Sequence, residues 1–384
     1  MNVPRTALRH LLALSLAAAA GHATLAAASS DNDERPKIEV CFVLDTTGSM
    51  SGLIEGAKTK IWSIANEIAK AKPAPQVRFG LIGYRDRGDA YVTRVFDLTE
   101  DLDAVYGSLH EFGADGGGDT PESVNQALHE AVTRMSWDAS RDVLKIVFLV
   151  GDCPPHMDYP DDVKYQETCQ AAVKKDLIIN TIQCGNCDNA ADVWQEIARL
   201  SEGEYAAIGQ TGDMVAVATP FDAEIARVSR ELGGTVLAYG AESERLAVGA
   251  KLALSASAPA AVAADRAAFT ARGAGGAVVT GTGDLLGALE EGRVQLAEIK
   301  DEELPAEIRA LAPAEREKVI AERRAKRQAL QKEADALVKN REEYLRKERE
   351  RLAREGSKDA FDEKVAAMIR QQATRKGIAY PTAP

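Results

Sequence analysis

The sequence predicts an α/β protein: a doubly wound, mostly parallel six-stranded sheet with one antiparallel edge strand, followed by an α-helical C-terminal region. Three observations point there. Up to residue 235, short apolar runs alternate with segments whose apolar residues recur at helical spacing, as in parallel strands joined by crossover helices. The run Ile146-Val147-Phe148-Leu149-Val150 is apolar throughout, which suits a strand covered on both faces. Residues 314–355 are rich in Ala, Leu, Glu, Lys and Arg and contain neither Gly nor Pro, which predicts one long helix.

Taken in order, the first strand runs through Cys41-Phe42-Val43-Leu44 and stops at Asp45. Leu53, Ala57, Ile61, Ile64 and Ile68 then fall on one helical face over 53–70, and Pro73 and Pro75 end it. Strands follow over 77–84 and 91–98; the short turn between them makes the pair an antiparallel hairpin. A helix over 101–112 leads to a glycine-rich loop, 113–118, and Thr120-Pro121-Glu122 is expected to open the next helix, with proline in its first turn. The buried strand over 142–150 ends at Gly151-Asp152-Cys153-Pro154-Pro155. A helix over 161–175, a strand over 177–183, a helix over 192–200, a strand over 204–208 and a long helix over 213–232 complete the alternation, and Gly233-Gly234 closes it. Residues 236–300 are Ala/Gly-rich with short helices. In the charged region 301–384, the long helix is followed by an amphipathic one over 361–372. Arg324, Arg327, Arg341 and Glu348 fall where a coiled-coil seam wants apolar knobs. The helix is therefore expected to pack on its own chain, with homodimerisation through 314–355 as the alternative.

The ends and composition bound the function. Residues 1–28 carry Arg5 and Arg9, an apolar run from Leu11, and Ala26-Ala27-Ala28 before Ser29, the layout of a cleavable secretory signal peptide. The run is broken by Gly21 and His22 and falls short of the ~20 strongly apolar residues of a transmembrane span. No integral membrane segment is expected after cleavage, and the mature chain, beginning with a linker over 29–36, is expected in the periplasm or outside the cell. At 45% hydrophobic and 28% charged residues it is globular. Residues 29–300 hold 25 Lys+Arg against 42 Asp+Glu, a net of −17, whereas residues 301–384 hold 20 against 17, a net of +3. An acidic globular part disfavours nucleic acid as partner. No nucleophile elbow, phosphate loop or dinucleotide fingerprint is present, so no enzymatic activity is expected.

The candidate site lies where the strands end. In an open α/β sheet ligands bind beyond the carboxyl ends of the strands. There Asp45-x-Thr47-x-Ser49 presents a carboxylate and two hydroxyls, and the sheet order brings Thr120, after Gly116-Gly117-Gly118, and Asp152 to the same edge. Oxygen-only donors suit a hard divalent cation. Hydroxyls would bind it directly while Asp45 and Asp152 hold waters, leaving positive charge for a carboxylate of a partner.

These residues resemble the metal-ion-dependent adhesion site of the von Willebrand factor type A family, whose pattern is Asp-x-Ser-x-Ser, a threonine after a Gly-Gly loop, and an aspartate after the fourth strand. The resemblance covers residues 37–235 and implies a Rossmann-like type A fold. It also implies a Mg2+ or Mn2+ site at Asp45, Thr47, Ser49, Thr120 and Asp152, and a protein ligand that presents an acidic residue to the metal. Thr47 stands where serine is usual, and Cys153 where glycine commonly follows the aspartate.

Of the five cysteines, Cys153, Cys184 and Cys187 are expected at one sheet edge, where a disulfide from Cys153 to Cys184 or Cys187 would pin the metal loop; free thiols, or redox or zinc chemistry at Cys184-Gly-Asn-Cys187, are the alternatives. The leading function is thus a non-enzymatic, cation-dependent protein-binding module. An envelope thiol-disulfide or assembly factor using Cys184/Cys187, and a scaffold oligomerising through the long helix, are the rivals. Arg87-Gly88-Asp89 reads as a hairpin turn, and His110, His129 and His156 lack metal-ligand spacing and are expected to be solvated or capping residues.

Overall fold

The computed structural model describes residues 35–211, 217–272, 277–354 and 361–381; the leader expected over 1–28 lies outside them. Six strands, β1 (Lys37–Asp45), β2 (Gln76–Tyr84), β3 (Thr93–Thr99), β4 (Leu144–Gly151), β5 (Leu177–Cys184) and β6 (Tyr205–Ile208), form one sheet in the order β3-β2-β1-β4-β5-β6. Every neighbouring pair is parallel except β2 and β3, which form the expected antiparallel edge.

Among the described residues, twelve helices follow the same chain order: α1 (Ser51–Ile68), α2 (Leu102–His110), α3 (Val124–Thr133), α4 (Tyr165–Lys174), α5 (Ala190–Leu200), α6 (Asp222–Gly233), α7 (Glu242–Ser257), α8 (Ala260–Arg272), α9 (Leu285–Glu290), α10 (Ala306–Arg309), α11 (Pro313–Arg354) and α12 (Phe361–Thr374). Successive strand residues point to opposite faces, and β1 shows the result. Val40, Phe42 and Leu44 join Ile54, Ile61 and Trp62 of α1 in one core, and Cys41 and Val43 join Val124, Leu128 and Trp194 in the other.

Two helix starts differ from expectation. Thr120-Pro121-Glu122 is not helical; α3 begins at Val124, because the Glu122 backbone is already engaged by the loop after β4, its N–H on the Pro154 carbonyl at 2.9 Å and its carbonyl on His156 N–H at 3.0 Å. The helix expected over 213–232 begins only at Asp222. Residues 212–216 lie outside the described set, and Pro220 stands where a continuous helix would need a backbone donor.

The C-terminal helices complete the layers of the sheet domain. Phe361, Val365 and Ile369 of α12 lie in the same core as Phe42 and Phe148, and the Phe361 and Phe42 rings are 6.5 Å apart. The long helix α11 packs on α6 and α8. Its buried positions Ile320, Arg327, Ala334 and Arg341 recur every seven residues, so two of the arginines that spoil an apolar seam sit within it. Each is matched: Arg327 donates to Asp284 and Thr235, and Arg341 to Asp222 at 2.6 Å and Asp265 at 2.7 Å. A third buried pair, Arg266 on both oxygens of Asp103 at 2.7 and 2.8 Å, ties α8 to α2. Bidentate guanidinium–carboxylate geometry at Arg327 and Arg266, and two carboxylates at Arg341, are what make such charges tolerable in a core.

Candidate metal centre

β1 and β4 are parallel neighbours with Leu44 opposite Val150, so Asp45 and Asp152 emerge side by side at the carboxyl edge, and both are buried. Asp45 Oδ1 accepts the Thr47 N–H at 2.8 Å and the Thr47 hydroxyl at 2.7 Å, and Thr47 Oγ1 lies 3.3 Å from Ser49 Oγ. Gly48 N–H donates to the Gly116 carbonyl at 3.2 Å, fastening the glycine loop over this turn. Gly117, at φ +81°, must be glycine on two counts: the left-handed backbone, and a Cβ that would stand 3.2 Å from Thr47 Cβ and 3.5 Å from Glu122 Oε1. Gly151 is constrained too, since a Cβ there would meet the Tyr84 hydroxyl at 2.3 Å and Asp45 Oδ2 at 3.1 Å.

Of the five predicted residues, Asp45, Thr47, Ser49 and Asp152 come together. Thr120 is exposed and, among the described residues, makes no side-chain hydrogen bond to the other four. Sequence reasoning missed two neighbours. Glu122, held by the backbone bridge to Pro155, brings a third buried carboxyl to the same place. Gln210, beyond β6, donates through Nε2 to Asp152 Oδ2 at 3.0 Å and to the Ser49 carbonyl at 3.3 Å. Glu122 carried a signal, a charged residue directly before an apolar helical run, which the helix-start pattern explained away.

Three carboxyl oxygens here, Asp45 Oδ2, Glu122 Oε2 and Asp152 Oδ1, are buried and accept no hydrogen bond. Burial pushes the Asp45 carboxyl up to about 7, with Asp152 adding to it, and burial together with Asp45, Asp86 and Asp152 pushes Glu122 up to about 9. Burial and the same carboxylates also raise the Tyr84 phenol beneath them. Orphaned buried oxygens of one sign are costly unless a cation or protons neutralise them. Together with the Thr47 and Ser49 hydroxyls they form an oxygen-only donor set that fits a hard divalent cation.

The cysteines depart from expectation. All five are free thiols. Cys184 is fully buried in the core on the α1 side of the sheet, whereas Cys187 packs against the core on the opposite side. Burial and the neighbouring Cys187, the other pairing expected, together with Asp152 hold the Cys153 thiol above the ordinary range. Burial does the same to Cys184. A redox pair needs an accessible, low-pKa thiol, and Cys184 is neither. The Arg87-Gly88-Asp89 turn is used internally: Arg87 pairs with Asp161 and Asp162, and Asp89 Oδ2 accepts the Asp86 and Gly117 N–H groups at 3.1 Å each. His156, expected at the surface, is buried.

A family model described as the von Willebrand factor A domain matches residues 39–219. Human von Willebrand factor A domain-containing protein 7 is 35% identical over 100 residues, 26% of this chain and 11% of that protein, so the chain spans about a tenth of that relative's length. Among solved structures, the SpRpn10 VWA domain aligns over 46% of this chain and 89% of its own at 15% identity and a TM-score of 0.35. Proximal thread matrix protein 1 from the mussel byssus, with a zinc-occupied MIDAS motif, aligns over 45% of this chain and 42% of its own at 16% identity and a TM-score of 0.36.

Proposed function

Because residues 39–219 of this chain are a von Willebrand factor A domain, we propose that the protein is a non-enzymatic binding module that engages a protein partner through a divalent cation. One observation carries this: the convergence of three buried, unpartnered carboxyl oxygens with two hydroxyls at the end of β1 and β4. Asp45, Thr47, Ser49, Glu122 and Asp152 would hold Mg2+ or Mn2+, and the bound ion would supply a Lewis-acidic position for a carboxylate of the partner. Thr47 and Ser49 present oxygens, Asp45 fixes Thr47 through two hydrogen bonds, and Gln210 orients Asp152. Glu122 makes the site richer in carboxyls than the sequence suggested. Its raised pKa keeps it neutral at pH 7 before the cation arrives.

We propose the periplasm or the outside of the cell for the mature module, a reading that rests on the leader-like pattern of residues 1–28. No helix among the described residues is long and apolar enough to cross a membrane. Calorimetry of the purified protein with Mg2+ and Mn2+ should show one site that Asp45→Ala abolishes. Affinity capture in Mg2+ should then recover a partner that is lost in chelator. Absence of cation binding, or equal binding by Asp45→Ala, refutes the proposal.

A further inference from the structure

A second constellation lies outside the oxygen set just described. Asp86, at the end of the β2 edge, Asp119, at the end of the glycine loop, and His156, after β4, each offer one donor atom, and the three atoms lie within 4.8 Å of one another. His156 Nε2 is 3.2 Å from Asp86 Oδ2 and 3.7 Å from Asp119 Oδ1. We propose that Asp86, Asp119 and His156 form a second cation site, distinct from that at Asp45, which takes a borderline transition-metal ion of the Zn2+ or Co2+ kind.

Four features support it. The imidazole is locked: its Nδ1 lies 2.8 Å from Asp158 Oδ1, and its ring stacks on Tyr159 with centroids 4.1 Å apart. A carboxylate on the far nitrogen of a ligating histidine fixes the tautomer and turns the other nitrogen's lone pair to the metal. Asp86 is locked as well: Oδ1 accepts from Ser123 Oγ at 3.0 Å, Tyr159 OH lies 3.1 Å from Oδ1 and 3.3 Å from Oδ2, and Oδ2 faces the ring. With Nδ1 donating to Asp158, a neutral ring would aim a lone pair at two carboxylate oxygens, an arrangement that needs something positive between them. A proton on Nε2 can serve; so can a cation, and the three donors already converge on the position it would take. Finally, Asp119 is exposed, which leaves an entry path and room for solvent ligands.

The donor types separate this site from the first. Imidazole nitrogen with two carboxylates suits zinc and its neighbours, whereas the all-oxygen set at Asp45 suits Mg2+. The glycine loop links the two: Gly116 is tied to Gly48 at the first site, and Asp119 would be a ligand of the second.

The test uses the full chain carrying Asp45→Ala, in excess Mg2+, titrated with Zn2+ by calorimetry and with Co2+ by its visible absorption. One ion per chain should bind. Asp119→Asn, which alters only an exposed side chain, and His156→Ala should each weaken binding by about tenfold or more. Asp158→Asn, which touches the metal only through His156, should weaken it by about 10–100-fold and perturb the Co2+ spectrum. If Zn2+ does not bind, or Asp119→Asn and Asp158→Asn bind like their parent, the proton alone occupies the position and the proposal fails. Loss of Mg2+ binding by Asp45→Ala in the otherwise native chain reports on the first site separately.

Discussion

At the scale of single residues, the candidate metal centre depends on two glycines and a glutamate as much as on the residues proposed to hold the ion. Gly117→Ala would force a left-handed backbone on a residue with a Cβ and press that carbon on Thr47 and Glu122. We expect Mg2+ affinity to fall by about tenfold or more, with the circular-dichroism spectrum unchanged, since the strain is confined to one loop and amounts to about 1–3 kcal/mol. Gly151→Ala inserts a methyl against the Tyr84 hydroxyl and Asp45 beneath the site. Overpacking of that kind costs about 1–3 kcal/mol, read as a lower midpoint in urea. The oxygen pattern was visible in the sequence because Asp45, Thr47 and Ser49 lie on one turn. Glu122 and His156 were not, because each gains its meaning from partners on other loops.

At the scale of elements, the C-terminal helices are held by buried charge. Arg341 reaches Asp222 on α6 and Asp265 on α8, and burial keeps the Asp265 carboxyl above its usual range even beside that guanidinium. Arg341→Ala strands both carboxylates in the core and should cost about 3–5 kcal/mol, whereas an exposed substitution on the same helix, Lys339→Ala, should change the unfolding free energy by less than about 0.5 kcal/mol. The buried positions of α11 are thus covered within the chain, with Arg327 and Arg341 among them.

Glu67 on α1 gives a pH-dependent reading of the same docking. Burial raises its pKa, but Lys70, Arg349 of α11 and Arg370 of α12 outweigh that and leave it lowered. A carboxyl lowered on folding contributes stability above its unfolded value of 4.5, and loses it as pH falls through the lower folded value. Glu67→Gln should therefore melt earlier than the parent at pH 7, and the gap should narrow below about pH 4.5.

At the scale of the whole molecule, the helices beyond residue 235 are part of the fold, since Phe361, Val365 and Ile369 fill the same core as β1 and β4. Deleting residues 361–384 would uncover Phe42 and α1, and Phe361→Ala alone should cost about 3–5 kcal/mol, measured by denaturant unfolding. The sequence alone determined the alternation of strands and helices, the antiparallel edge, the long C-terminal helix and the Asp45 turn. These rest on apolar periodicity and on Gly and Pro punctuation, which act between residues close along the chain. Only the tertiary structure decided that α3 starts after Glu122, that Cys184 faces away from Cys187, that Arg327 and Arg341 are core residues, and that His156 meets Asp86 and Asp119. Each of these joins groups far apart in sequence, and such groups find one another only when packing fixes which loops share an edge and which helix faces are covered.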